Sequence, residues 1–127
     1  MLLLQQNSSE HVLEIKDFFI SYPTSCKWII EGLNLHIASG QHLALVGPSG
    51  CGKSTIAKAI LQLLPEGSVC KGGLSLIGQD PRDLSQSQLR RLRGEAVGLV
   101  FQDPMTRLNP LMTIGGHLID TLRSHLP

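Results

Sequence analysis

The stretch Gly47 to Thr55, GPSGCGKST, decides how the rest of the chain is interpreted. Its glycines stand at the spacing of a phosphate-binding loop, and Lys53 and Ser54 follow at the required positions. Glycines let successive backbone N–H groups turn toward one anion, while the lysine ammonium adds a positive charge at the β- and γ-phosphates. The serine hydroxyl suits Mg²⁺, and a helix that begins there points its positive dipole end at the same anion. The stretch therefore predicts a nucleotide site whose binding residues are Gly47, Pro48, Ser49, Gly50, Cys51, Gly52, Lys53, Ser54 and Thr55.

The flanks of this loop carry the strand and the helix that such a loop requires. The segment HLALV, residues 42–46, is a short apolar run that is typical of a buried strand. After the loop, KSTIAKAILQLL predicts a helix that Pro65 ends. Its apolar face holds Ile56, Ile60, Leu63 and Leu64. The order of strand, loop and helix predicts an α/β fold of the P-loop NTPase class.

The composition of the chain indicates which partners and which cellular compartment to expect. The chain has 127 residues, which fits one domain or part of one, and its hydrophobic content of 42% is enough for a core. With 11 basic and 10 acidic residues, its net charge of +1 gives no electrostatic reason to expect nucleic acid as a partner. Three cysteines without a CxxC pair favour a reducing compartment, the cytoplasm. The sequence also shows neither a signal peptide nor an apolar run of the ~20 residues needed to span a bilayer.

Further elements are predicted on both sides of the loop. Two alternating segments before it indicate strands that pair as an antiparallel preface, Val12 to Ile20 and Leu33 to Ile37. After the first helix, we predict a strand from Leu74 to Ile77, a turn at residues 79–81, a helix from Gln86 to Arg93, a buried strand from Val97 to Phe101, and a last helix that Thr113 caps and that runs toward Leu126.

In this order, the features resemble the ATP-binding subunits of ABC transporters. Besides GPSGCGKST, the resemblance rests on VFQDPMTRLNP, residues 100–110. The wording FQDPM followed by LNP, with LLPEG and LRRLRGEAVGLVFQ before it, is similar to the branch that serves dipeptide, oligopeptide and nickel importers. The likeness runs from about Val12 to the end of the chain. It implies a RecA-like core with an antiparallel β preface, and ATP and Mg²⁺ as cofactors.

Carried over by position, this resemblance assigns roles outside the phosphate loop. Tyr22, the only tyrosine of the chain, would stack on the adenine, although the nearby Trp28 is an alternative ring. Gln102 would be the catalytic glutamine of the Q-loop, which contacts the attacking water and, together with Ser54, the Mg²⁺ ion. A last group would face the coupling helix of a transmembrane partner or serve only local packing, namely Phe101, Pro104 and Met105.

The resemblance also implies what this chain lacks. The sequence contains no LSGGQ, no Asp after an apolar strand as the second nucleotide motif, and no switch histidine. We therefore expect residues 1–127 to be the N-terminal portion of one ABC ATP-binding domain, truncated before the second nucleotide motif, with residues 1–11 as a disordered leader. Such a chain would bind Mg-ATP without hydrolysing it alone. Its expected partners are transmembrane permease subunits and a second ABC ATP-binding subunit, at the inner face of the cell membrane.

Two other functions remain open at this level. The chain is alternatively a non-catalytic interaction fragment, or a small stand-alone P-loop kinase in which three arginines act as a lid, Arg90, Arg91 and Arg93. The cysteine inside the loop adds a hypothesis of its own. Alkylation of Cys51 would block ATP binding, unless this thiol is packed and inert.

Overall fold

The computed structural model of the chain describes residues 11–103, 106 and 108–125. The chain divides into two compact units, residues 1–84 and residues 85–127. Together they contain helices and strands, so the predicted mixed α/β class is confirmed. In the described ranges, no helix has both the length and the apolar character that crossing a membrane requires.

A three-stranded antiparallel sheet forms the centre of the first unit. Its strands are β1 (His11–Ser21), β2 (Ile30–Ala38) and β3 (Val69–Leu76), in the spatial order β2-β1-β3. The two strands predicted before the loop are thus confirmed as an antiparallel pair. The strand predicted from Leu74 begins five residues earlier, at Val69, because β1 supplies hydrogen-bond partners along that whole length. Apart from His11, which lies in β1, the leader predicted for residues 1–11 falls outside the described residues.

The apolar pattern of β1 changes phase because the strand contains a bulge. Leu13 and Ile15 are buried, and the next buried residues are Phe18 and Ile20 rather than the positions expected from strict alternation. The register with both neighbouring strands shifts in this interval, where Asp17 adopts a φ of 46°. An extra residue at a bulge returns the following side chains to the same face of the sheet. All four apolar side chains therefore belong to one core.

The helix after the loop, α1 (Lys53–Ile60), lies against β3 and contributes to the same core. Ile56 is buried, as predicted, whereas Ile60 is only partly buried; Ala59, which the prediction did not include, is buried as well. The prediction that the helix continues to residue 64 is wrong, because Gln62 takes a left-handed φ of 53°. Its side-chain amide donates to the Ala59 carbonyl at 2.8 Å. A left-handed residue ends a helix because it changes the direction of the chain. Leu63 therefore does not lie on the predicted apolar face, and it is 40% exposed.

The strand predicted for residues 42–46 is not formed. This segment is irregular, and its large side chains are exposed, Val46 by 93%. An apolar run becomes a strand only where a neighbouring strand bonds to its backbone. In the described part of the chain, the sheet consists of β1, β2 and β3, and none of them pairs with this segment.

In the described residues, the second unit contains two α-helices. In α2 (Gln86–Arg91), the Ser85 hydroxyl accepts from the Gln88 backbone N–H while the Gln88 side chain bonds to the Ser85 N–H, a capping box. A single π-helical turn follows, Leu92–Ala96, where a continuous helix to residue 93 was predicted. The predicted strand at residues 97–101 is absent as well, because no described strand lies beside it, and Val100 is 93% exposed.

The last helix of the second unit agrees with the sequence at its start. In α3 (Ile114–His125), the Thr113 hydroxyl accepts from the Gly116 backbone N–H at 3.1 Å, so the predicted cap is confirmed. The helix leaves several large apolar side chains exposed, including Ile114 at 78%. Its predicted end near Leu126 lies outside the described residues.

Candidate functional site

The lysine of the phosphate loop is held against the loop by backbone carbonyls. Lys53 Nζ donates to the Gly47 carbonyl at 2.6 Å and to the Pro48 carbonyl at 2.7 Å. It also lies 3.5 Å from the Cys51 sulfur. These bonds bring together residues at both ends of the predicted loop. Among the described residues, no ion pair joins Lys53 to a carboxylate. Because neutral carbonyls do not cancel the ammonium charge, the loop presents a positive charge.

The start of α1 adds a second positive feature at the same place. Lys53 occupies the first turn of the helix, which contains no acidic residue. The first N–H groups of a helix have no acceptor within it, and its dipole is positive at this end. A cation is therefore unfavourable at this position unless an anion is bound nearby. A lysine at a helix N-terminus destabilises the helix, and such an unfavourable local charge is expected where the helix start binds an anion.

Gly52, the residue before α1, has a conformation that only glycine adopts easily. Its φ is 98° and its ψ is 5°, and it forms the N-terminal cap without a side-chain hydrogen bond. A Cβ atom at this position would lie 2.6 Å from Cδ1 of Ile30 and 3.4 Å from Cγ2 of Ile29. The beginning of β2 therefore packs directly against the junction between the loop and α1. Sequence reasoning explained Gly52 through the phosphate alone and missed this packing, which joins residues more than 20 positions apart.

The two hydroxyl residues after the lysine differ in their surroundings. The side chain of Ser54 is exposed, and no hydrogen bond of its hydroxyl appears among the described residues. Thr55 is buried, with 7% of its surface exposed, and its Oγ1 lies 3.0 Å from the hydroxyl oxygen of Tyr22. Ser54 is thus the hydroxyl that a metal ion can reach. Thr55 connects the helix to the aromatic residue predicted for the base.

The structure also separates the two candidate rings for base stacking. Trp28 packs edge-on against Phe19, with ring centroids 5.5 Å apart, and the ammonium of Lys71 lies 5.3 Å from its ring centroid. Tyr22 instead contacts α1 through Thr55. The tyrosine is therefore the ring for which the structure shows a hydrogen bond to the helix that follows the phosphate loop. No pattern in the sequence announces this contact, because it joins residues 33 positions apart.

The predicted Q-loop residues lie in the second unit. Gln102 and Asp103 are exposed and follow the irregular segment at residues 97–101. The Asp103 carbonyl accepts from the Thr106 hydroxyl at 3.0 Å. Of the three residues predicted to face a transmembrane partner, one is described. Phe101 is 40% exposed, whereas Pro104 and Met105 lie outside the described residues.

An ion pair fixes the chain after β3, on the same unit as the loop. Asp80 accepts from Nε of Arg82 at 2.9 Å, and the same guanidinium donates to the Gly72 carbonyl at 2.9 Å. Burial raises the pKa of Asp80, but the hydrogen bonds and charge of Arg82 outweigh it and hold that pKa below its ordinary value. This pair is structural, because it bonds to its own segment and to β3. In the described residues, no three histidine, cysteine or acidic side chains converge as a metal site.

A glycine-capped helix start, a lysine held by the preceding loop and a free serine hydroxyl together define a P-loop nucleotide-binding protein. The comparison with known proteins makes the class more specific. The family model described as ABC transporter matches residues 30–124, so the chain belongs to the ABC transporter family.

Several curated proteins are similar over most of this chain. The probable D,D-dipeptide transport ATP-binding protein DdpD of Escherichia coli K12 is 40% identical over 123 residues, which are 94% of this chain and 38% of that protein. The oligopeptide transport ATP-binding protein OppD of Bacillus subtilis is 40% identical over 118 residues, 90% of this chain and 33% of that protein. The dipeptide transport ATP-binding protein DppD of Bacillus subtilis is 36% identical, with 91% and 36% covered. The chain thus spans little more than a third of the length of these relatives.

Proposed function

We propose that this chain binds Mg-ATP as the ATP-binding part of an ABC importer. The observation that carries the proposal is the position of Lys53 in the first turn of α1, bonded to the loop carbonyls of Gly47 and Pro48. A charge in that place is stabilised by the phosphates of a nucleotide. On binding, the ammonium would exchange carbonyl oxygens for the more strongly attracting phosphate oxygens.

The remaining roles follow from chemistry and position. The backbone N–H groups of the loop surround the phosphate chain, and the exposed hydroxyl of Ser54 suits Mg²⁺, which usually reaches a protein through one or two oxygen ligands and the phosphates. Tyr22 offers its ring to the adenine. Gln102, which is exposed in the second unit, would contact Mg²⁺ and the attacking water in the complete protein.

The names of the relatives support a peptide as the transported solute. The three proteins described above are named for transport of D,D-dipeptides, oligopeptides and dipeptides. We therefore favour a peptide over nickel. The proposed partners are membrane-embedded permease subunits and a second ATP-binding subunit, and the proposed location is the cytoplasmic face of the membrane.

Equilibrium binding of Mg-ATP to the purified chain, by isothermal titration calorimetry, tests the proposal. We expect binding by the wild type and its loss in Lys53→Met, because the substitution removes the one charge held at the loop. Lys58→Met is the matched control, since it removes a lysine from the last turn of the same helix. Equal binding by wild type and Lys53→Met would overturn the proposed site.

Hydrolysis is a separate proposal. The chain contains neither LSGGQ nor the second nucleotide motif, so we expect it to bind Mg-ATP without turnover. A release assay for inorganic phosphate on the pure chain measures this. Appreciable activity that Lys53→Ala abolishes would contradict the expectation and would place the water-activating group within these residues.

A further inference from the structure

The hydroxyl of Tyr22 is bonded inside the protein, although the role proposed for the ring requires only its face. Its oxygen lies 3.0 Å from Oγ1 of Thr55. Thr55 is 7% exposed and sits in the first turn of α1, directly after the residue proposed for Mg²⁺. A β-branched threonine in a helix has few rotamers available. Its hydroxyl is therefore a fixed point to which the tyrosine is attached.

The backbone of Tyr22 is fixed as well. Its carbonyl accepts from the Ser25 N–H at 3.0 Å, and Pro23 restricts the turn between them. The connection between β1 and β2 is closed by a bond of 2.7 Å from the Ile29 N–H to the Ile20 carbonyl. With its backbone held by this turn and its hydroxyl held by Thr55, the ring has lost most of its side-chain rotations before any ligand arrives.

We propose that Thr55 is a positioning residue for nucleotide base recognition, which acts by holding the Tyr22 ring in its stacking orientation. The inference rests on the proposed function, and it adds a residue that acts on the base from within the phosphate helix. A ring ordered in advance stacks without the entropy cost of fixing a mobile side chain, so the contact gains affinity. The ligand class that benefits is a nucleotide with a flat base; tripolyphosphate offers nothing to stack.

The contact also places the base site and the phosphate site on one element. Lys53 and Thr55 are two residues apart in the first turn of α1. Ile30, at the start of β2, contacts the same junction at Gly52. Both ends of the β1–β2 connection thus meet the helix start, which keeps the ring at a constant position relative to the loop.

The experiment is a double-variant cycle measured with two ligands, Mg-ADP and Mg-tripolyphosphate, by calorimetry on the full chain. The variants are Tyr22→Phe, which keeps the ring and removes only its hydroxyl, Thr55→Val, and the two combined. We expect Tyr22→Phe to weaken Mg-ADP binding about 2- to 10-fold, the usual cost of immobilising one side chain on binding, because the ring is then no longer ordered in advance. In the Thr55→Val background, the same change is expected to have no further effect, and Thr55→Ser is expected to restore Mg-ADP affinity.

Tripolyphosphate separates positioning from other effects. Tyr22→Phe should leave the affinity for Mg-tripolyphosphate unchanged, because this ligand has no base to stack on the ring. Thr24→Val is the matched control for loss of a threonine hydroxyl, since Thr24 is exposed in the same connection. Far-ultraviolet circular dichroism establishes that each variant is folded.

Three outcomes would overturn the inference. These are unchanged Mg-ADP affinity in Tyr22→Phe, an equal effect of Tyr22→Phe in both backgrounds, and an equal loss of tripolyphosphate binding in Tyr22→Phe. A wild-type chain that binds neither ligand would instead overturn the proposed function itself, and the inference with it. The two failures are thus distinguished by the wild-type titration alone.

Discussion

Replacement of Gly52 by alanine tests how the sheet supports the phosphate loop. Two costs are expected in the folded state. A non-glycine residue in the left-handed region costs about 1–2 kcal/mol, and the φ of 98° lies beyond the range that alanine prefers. The new Cβ would also lie 2.6 Å from Cδ1 of Ile30, and overpacking of this kind costs about 1–3 kcal/mol. The sum is about 2–5 kcal/mol of unfolding free energy.

A second glycine of the loop provides the comparison. Gly50 has a φ of 81°, and a Cβ there would meet no atom within 4 Å. Gly50→Ala should therefore cost only the conformational part, about 1–2 kcal/mol. The gain from restricting the unfolded chain is the same for both substitutions and cancels in the comparison. Gly52→Ala is thus expected to destabilise the protein by about 1–3 kcal/mol more than Gly50→Ala does.

Ile30→Val separates the two costs of Gly52→Ala, because valine lacks the Cδ1 atom in the shortest contact. The combined variant should recover the overpacking part and keep the backbone strain. Urea unfolding followed by the fluorescence of Trp28, the only tryptophan, measures all the variants. Equal unfolding free energies for Gly52→Ala and Gly50→Ala would refute the claim that β2 packs on the loop, as would a combined variant without recovery.

Three further predictions concern charge, thiol chemistry and capping. Burial raises the pKa of Asp80 but Arg82 holds it lower overall, so the pair contributes stability above about pH 4 that is lost as the pH falls through the lowered pKa; urea unfolding from pH 7 to pH 3 should show this loss in the wild type and much less of it in Arg82→Leu. Alkylation of the exposed Cys51, 3.5 Å from the lysine ammonium, should block Mg-ATP binding, and unchanged affinity after complete modification would contradict this. Ser85→Ala should cost about 0.5–2 kcal/mol in urea unfolding, because the Gln88 N–H loses its cap, and a neutral result would refute the capping role.

Features that depend on neighbouring residues were predictable from the sequence. The start of α1 and the cap at Thr113 rest on residue types within a few positions, and the structure places both as expected. The two strands before the loop were also confirmed, although the bulge near Asp17 disturbs their alternation. Local chemistry settles such features because the interactions that form them are themselves local.

Features that depend on distant partners were not predictable. The segments at residues 42–46 and 97–101 have the composition of buried strands, but composition does not supply the neighbouring strands that a ladder needs. The end of α1 was missed because a single residue, Gln62, adopts a left-handed conformation. The contact of Tyr22 with Thr55 left no periodic signal, since two hydroxyl groups 33 positions apart meet through the fold alone.

These differences show which part of the fold holds the phosphate loop. In the described residues, the segment before the loop is irregular and exposed, so it does not anchor the loop through a sheet. The anchoring contacts come from the β1–β2 connection, where Ile30 meets Gly52 and Tyr22 meets Thr55. Since both contacts converge on the start of α1, the antiparallel sheet would position the proposed base and phosphate sites together. A change in this connection should therefore alter nucleotide affinity even though it touches no phosphate.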